Sequence, residues 1–128
     1  MRLRSLTTYL CDAYRTNWVL VKLETEDGLT GWGEATLEYK EHTVEAAIHA
    51  LEASLAGRDL GDIQSWWQDA YRDAYWRGGA VLTSALSGIE MALWDLKGKA
   101  LGVPVFELLG GRVRSEVPCY ANAWFAGA

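Results

Sequence analysis

The apolar residues of this chain recur with a period of two in its first third and with a helical period in the rest. From Trp18 to Glu26 alternate residues are apolar, which predicts a half-buried strand. Asp27-Gly28 follows, and because Asp-Gly is a strong hairpin signal, the return strand is predicted over Leu29–Glu34. A third strand is predicted over Arg2–Leu10. The residues of the central strand expected to face the core are Val19, Val21 and Leu23.

Three apolar stripes at helical spacing follow the predicted strands and end near Gly57, Gly78 and Gly102. A further short helix is predicted from Pro104 to Leu109, since proline is tolerated at a first helical position. Strands followed by helices indicate the α+β class, with a three-stranded antiparallel sheet covered by a helical bundle. The stripes are Val44, Ala47, Ile48, Leu51 and Leu55; Ile63, Trp67, Ala70, Tyr71 and Ala74; and Leu82, Ala85, Leu86, Ile89, Leu93, Leu96 and Ala100.

Glycines mark two places where the backbone is expected to be unusual, one a close approach between two segments and the other a tight corner. Gly31 and Gly33 weaken the return strand and would let another backbone approach it closely. Gly31-Trp32-Gly33 is too short for a phosphate-binding loop. Arg77-Gly78-Gly79 is predicted to be a tight corner between helices, with a surface arginine.

Composition excludes several classes of protein for a chain of 128 residues. A net charge of −5 disfavours nucleic-acid binding, and no apolar run approaches the ~18 residues of a membrane span. Cys11 and Cys119 match no metal-binding spacing and fit a reducing compartment. We therefore expect a soluble, cytoplasmic protein. Its seven Trp and six Tyr suit a core or an interface.

Two predicted loops carry residues suited to binding a polar ligand. The loop Cys11–Asn17 contains Tyr14, Arg15 and Asn17, and the loop Ala35–Lys40 contains Thr36, Glu38, Tyr39 and Lys40. An ordinary solvated loop remains the alternative for each. His42 and His49 are seven residues apart, whereas metal-binding pairs on helices favour spacings of three or four, so solvent-facing histidines are expected.

Periodicity does not explain the order of small, acidic and basic residues between Ala85 and Gly110. This order resembles the signature of the mandelate racemase and muconate lactonizing enzyme group of the enolase superfamily, and the Gly28–Ala35 hairpin is also typical of that group. Within the group, the segments Glu34–Lys40, Trp76–Gly79 and Ala92–Lys99 look most like the galactonate dehydratases and related sugar-acid dehydratases. The signature residues are Ala85, Ser87-Gly88-Ile89-Glu90, Ala92-Leu93, Asp95-Leu96, Gly98-Lys99, Pro104-Val105 and Leu108-Leu109-Gly110.

The resemblance implies a capping domain over residues 1–111 and the start of a catalytic (β/α) barrel over residues 112–128. A strand is predicted over Glu116–Asn122 as the first barrel strand, and more chain is expected after Ala128. In the family, Mg²⁺ ligands and acid/base residues come from later barrel strands. The family reaction removes the proton α to a carboxylate, and a dehydratase then expels the β-hydroxyl. We therefore expect no catalytic residue and no metal ligand here, and no activity of this chain alone.

In the family, two loops of the cap close over the barrel and select the substrate. They map onto the two loops above, so Arg15, Asn17, Glu38, Tyr39 and Lys40 are candidates for contacts to an acid sugar. Asn122 and Trp124 are candidates for the pocket floor. A homo-oligomer is expected for the full-length form. The alternatives are the cap of a racemase, epimerase or cycloisomerase of the same group, and a non-catalytic, truncated interaction module.

Overall fold

A computed structural model describes residues 1–14 and 16–120 of the chain. In this part of the chain the strands come first and the helices follow, which confirms the α+β class. The strands are β1 (Leu3–Asp12), β2 (Asn17–Thr25) and β3 (Thr30–Glu34), and the helices are α1 (Glu41–Leu55), α2 (Ile63–Asp73), α3 (Ala80–Leu101) and α4 (Val105–Leu108).

The strands form an antiparallel sheet in the order β1-β2-β3, with β2 in the centre. Val19, Val21 and Leu23 are fully buried under the helices, as the alternation predicts. The β2–β3 hairpin turns at Gly28, whose φ is +85° and whose N–H donates to the carbonyl of Thr25 at 2.9 Å. β1 runs to Asp12, two residues beyond the predicted end, so the first loop is shorter than expected.

The helices cover one face of the sheet, and the residues of the predicted stripes are buried or partly buried except at two positions, both on α3. On α2 the core tryptophan is Trp66 and not Trp67, because the Trp66 indole N–H reaches the Ser54 hydroxyl at 2.9 Å. Trp67 is only partly buried and stacks on Tyr71, with ring centroids 5.2 Å apart. On α3, Leu82 and Ala100 lie near the helix ends and are exposed, contrary to prediction.

β3 lies directly on α3, and glycines make this approach possible. A Cβ atom on Gly31 would overlap the carbonyl oxygen of Ala92, and one on Gly33 would overlap that of Gly88. The predicted close approach of a second backbone is therefore confirmed. At the other end of α3, Gly78 and Gly79 have φ values of +76° and +79° and form the predicted corner.

The end of the described chain is exposed. α4 begins after Pro104 as predicted and is followed by Gly110 and Gly111, both with positive φ. Residues 116–120 form no strand, since no described strand lies beside them to share hydrogen bonds. The last two positions of that predicted strand lie outside the described residues. In the part of the chain that is described, no helix is both long and apolar enough to span a membrane.

Candidate functional site

The two candidate loops lie at the same end of the sheet. The β1–β2 connection starts after Asp12, which pairs with Asn17, and the connection from β3 to α1 starts after Glu34, which pairs with Leu20. The second connection is held at its base by Val19 of β2, whose N–H donates to the Thr36 hydroxyl at 3.0 Å. The carbonyl of Val19 also accepts the N–H of Ala35 at 2.8 Å. The backbone of β2 thus holds the second loop in place.

The C-terminal ends of the two loops are joined by Glu41, the first residue of α1. Its Oε1 accepts the Thr16 hydroxyl at 2.6 Å, the Tyr39 N–H at 3.2 Å and the Asn17 N–H at 3.3 Å. Glu41 is buried, with 9% of its surface exposed. The hydroxyl of Thr16, followed by backbone N–H groups, lowers the pKa of Glu41 to about 2 from its ordinary value of 4.5. Sequence reasoning missed Glu41.

Each loop carries an exposed tyrosine whose backbone lies in the left-handed region. Tyr14 has φ +71° and Tyr39 has φ +61°, a conformation that costs energy in residues other than glycine. The N–H of Tyr14 donates to Oδ1 of Asp12 at 2.9 Å, and the N–H of Tyr39 donates to Glu41. Their side chains are 91% and 69% exposed. Carboxylates therefore hold two aromatic rings out into solvent at this end of the sheet.

The structure places four of the seven predicted site residues at or beside this end. Glu38, Tyr39 and Lys40 are consecutive exposed residues before α1, and Asn17 is the half-buried first residue of β2. Asn17 and Tyr39 are brought together through Glu41. Arg15, Asn122 and Trp124 lie outside the described residues.

A shallow cleft of about 300 Å³ opens between the second loop and α3. Ala35 and Thr36 of the loop line it, so the cleft is continuous with the candidate site. Its volume is at the lower end of the range for small-molecule sites. Most other lining residues offer oxygen atoms suited to hydroxyl-rich ligands; they are Glu34, Thr83, Ser84 and Ser87, with Met91.

The histidines and acidic residues do not assemble a metal site in the part of the chain described. His42 is exposed and lies 3.5 Å from Glu45, and His49 lies 3.7 Å from Glu52, so both face solvent as predicted. No group of three His, Cys, Asp or Glu residues among those described could hold a metal ion. The described residues therefore do not fit the Mg²⁺ that the family resemblance implies.

The chain is similar in sequence to a known family and to several curated relatives. The family "Mandelate racemase / muconate lactonizing enzyme, N-terminal domain" matches residues 5–110. D-galactonate dehydratases of Variovorax paradoxus (strain S110) and of Xanthomonas campestris pv. campestris (strain B100) are each 48% identical over 127 residues. These matches cover 99% of this chain and 32% of either relative, so the chain spans about a third of their length.

Solved structures agree with the family match. An enolase from Pantoea ananatis with bound D-gluconate and Mg is 44% identical, with a TM-score of 0.82 over 88% of this chain and 28% of that one. A member of the enolase superfamily from Salmonella Typhimurium is 32% identical, with a TM-score of 0.83 over 88% of this chain and 30% of that one. Sequence identity and fold thus agree, and the chain belongs to the mandelate racemase and muconate lactonizing enzyme family of the enolase superfamily, as an N-terminal domain.

Proposed function

We propose that this chain is the substrate-specificity domain of a Mg²⁺-dependent sugar-acid dehydratase of the galactonate dehydratase type. Support comes from its 48% identity to D-galactonate dehydratases and from its 44% identity to an enolase that binds D-gluconate and Mg. Both compounds are linear polyhydroxy acids, with a carboxylate at one end and hydroxyl groups along the chain. A domain that selects such substrates needs polar and charged groups on adaptable loops.

The joining of two loops at one end of the sheet is the observation that carries this proposal. Lys40 offers a positive charge to the substrate, and Glu38 offers acceptor oxygens to its hydroxyl groups. The exposed Tyr39 ring would cover apolar surface of the substrate's carbon chain. Asn17 enters from the neighbouring loop. Arg15, Asn122 and Trp124 are further proposed contacts. Closing these loops over a ligand would exclude water from it and fix the orientation of its distal end.

The chemistry itself is assigned to the remaining two thirds of the length seen in the relatives. Removal of a proton α to a carboxylate and departure of a β-hydroxyl need a base, an acid and stabilisation of the charge that develops. The described residues provide no metal site for the last of these. The 128-residue chain alone is therefore proposed to be inactive.

A chimera tests this division of labour. The chain replaces the matching 127 residues of the Variovorax paradoxus relative, and magnesium-dependent dehydration of D-galactonate and D-gluconate is measured. The chimera is expected to turn over at least one of these acids, and the 128-residue chain alone is expected to turn over neither. The unmodified relative serves as the positive control for the assay.

Two results would contradict the proposal. Turnover by the isolated chain would show that the longer protein is not needed for the chemistry. A folded chimera that is inactive on both acids, while the unmodified relative is active, would show that this domain does not serve a sugar-acid dehydratase.

A further inference from the structure

The carboxylate of Glu41 is the point where two loops, distant in sequence, share a single acceptor. Thr16 and Asn17 reach it from the β1–β2 connection, and Tyr39 reaches it from the connection between β3 and α1. All three donors meet the same oxygen, Oε1, at distances between 2.6 and 3.3 Å. Hydrogen bonds to an ionised acceptor are about twice as strong as neutral ones. One side chain therefore couples the C-terminal ends of both loops.

The base of the second loop does not depend on Glu41. Val19 binds Thr36 through its N–H and Ala35 through its carbonyl, and both contacts belong to the sheet edge and the start of the loop. Loss of the Glu41 carboxylate would therefore leave the fold and the base of the second loop in place. What it would release is the relative position of the C-terminal ends of the loops, where Tyr39 and Lys40 lie.

The backbone strain at Tyr39 indicates how the loop would change if the Glu41 carboxylate were lost. Its φ of +61° is unfavourable for a tyrosine, and its N–H is held by Glu41. Without that acceptor, the backbone at Tyr39 is free to return to ordinary φ values, which would re-aim the rings and charges on either side of it. Strain of this kind is characteristic of segments whose exact geometry serves binding.

The geometry points to Glu41 as a positioning residue that holds the two loops in one arrangement for binding the acid sugar. This inference rests on the proposed function, since the loops must contact substrate for their arrangement to matter. Glu41 itself touches no substrate in this account. It acts through Thr16, Asn17 and Tyr39.

Hydrogen exchange on the 128-residue chain tests the coupling without any assay of activity. In Glu41→Ala, the backbone amides of Asn17 and Tyr39 are expected to exchange at least about tenfold faster, together, while the core amide of Leu23 is unchanged. Glu41→Gln keeps an acceptor oxygen without the charge and should lie between the two. Glu45→Ala is the matched control, because Glu45 lies one turn further along α1 and binds the hydroxyl of Thr8 at 2.9 Å.

Kinetics of the chimera then test the consequence for substrate. Glu41→Ala is expected to raise the KM for the sugar acid about tenfold while kcat changes less than about twofold, since the chemical groups lie elsewhere. Glu41→Gln should recover part of the loss. Glu45→Ala should leave both constants unchanged. If the effect of Glu41→Ala came from a general loss of stability in α1, Glu45→Ala would change them as well.

The outcomes separate this inference from the proposed function. Unchanged exchange at Asn17 and Tyr39 in Glu41→Ala would overturn the inference, as would an unchanged KM in an active chimera. A chimera with the unmodified chain that is inactive on both acids would instead overturn the proposed function. In that case the exchange rates still decide whether Glu41 couples the loops.

Discussion

The backbone N–H of Trp32 on β3 donates to the carboxylate of Asp95 on α3, at 2.9 Å. β3 is an edge strand, so this N–H would otherwise face solvent unpaired. Lys99, one turn further along α3, binds Oδ2 of Asp95 at 2.6 Å and the carbonyl of Thr30 at 2.9 Å. An acid and a base on the helix thus satisfy both a donor and an acceptor of the edge strand.

Removing the carboxylate should loosen this edge. We expect Asp95→Ala to lower the free energy of unfolding by about 1 kcal/mol, the usual net contribution of a hydrogen bond whose donor is exposed to water once its partner is removed. The measurement is urea unfolding monitored by tryptophan fluorescence. Glu26→Ala, on the exposed hairpin, is the control and should stay within about 0.5 kcal/mol of the wild type. An equal effect of both substitutions would contradict the role assigned to Asp95.

Several residues of the sequence signature on α3 therefore serve to pack this helix against β3. The backbone carbonyls of Gly88 and Ala92 lie where the glycines of β3 approach, and Asp95 and Lys99 bind polar backbone groups of that strand. Gly98 packs against the turn after the helix, where a Cβ would meet the carbonyl of Val103 at 2.8 Å. The order of small, acidic and basic residues follows from one helix lying on one edge strand.

The glycines of β3 give a second prediction. Gly33→Ala places a methyl group onto the carbonyl of Gly88, which is backbone and cannot turn aside. We expect a loss of about 3 kcal/mol in the free energy of unfolding, at the upper end of overpacking costs. Gly61→Ala is the control, because its Cβ would meet only flexible side chains, those of Asp59 at 3.3 Å and Met1 at 3.9 Å, and should cost less than about 1 kcal/mol. Equal stabilities in thermal or urea unfolding would rule out the close approach.

Much of the fold could be predicted because its elements bury one face in a simple period. The alternation in β2 and the stripe of α1 correspond to the residues that are buried. α2 shows where periodicity is insufficient, since Trp66 and Trp67 are adjacent and either could face the core. The choice depends on Ser54, a hydrogen-bond partner from another helix that no local pattern reveals.

The candidate site was predicted in outline but not in its organisation. Loops at strand ends, rich in polar and aromatic residues, were sufficient to select Asn17, Glu38, Tyr39 and Lys40. Glu41 escaped notice because an acidic residue in the first turn of a helix is ordinarily explained by the helix dipole. Only the approach of two loops, separated by more than twenty residues, shows that its carboxylate is buried and shared.

Glu41 also predicts how stability depends on pH. Its pKa is about 2 in the folded chain and near 4.5 when unfolded, so the unfolded state binds more protons between these values. The stabilising contribution of the carboxylate is therefore complete above about pH 5 and is lost as the pH falls toward 2. Glu41→Gln cannot titrate, and the stability difference between wild type and this variant should shrink over that interval.

Comparison with the variant is needed because other carboxyl groups respond to acid as well. The N–H of Gly61 lowers the pKa of Asp59, and the hydroxyl of Thr25 lowers that of Asp27. Both groups are present in wild type and variant, so their effects cancel in the difference. The stability difference between the two proteins is obtained from urea unfolding midpoints measured at several pH values between about 5 and 2.5. Parallel pH profiles for the two proteins would contradict the assignment to Glu41.

The central claim is that this domain selects an acid sugar through its two loops, and a charge-matched pair of variants tests it most directly. In the chimera with the Variovorax paradoxus relative, kcat/KM for D-galactonate is measured for Lys40→Ala and for Arg72→Ala. Each removes one exposed positive charge, the first from the loop and the second from the last turn of α2. We predict a loss of about tenfold, carried by KM, for Lys40→Ala alone. Equal values of kcat/KM for both variants and the unmodified chimera would contradict the claim.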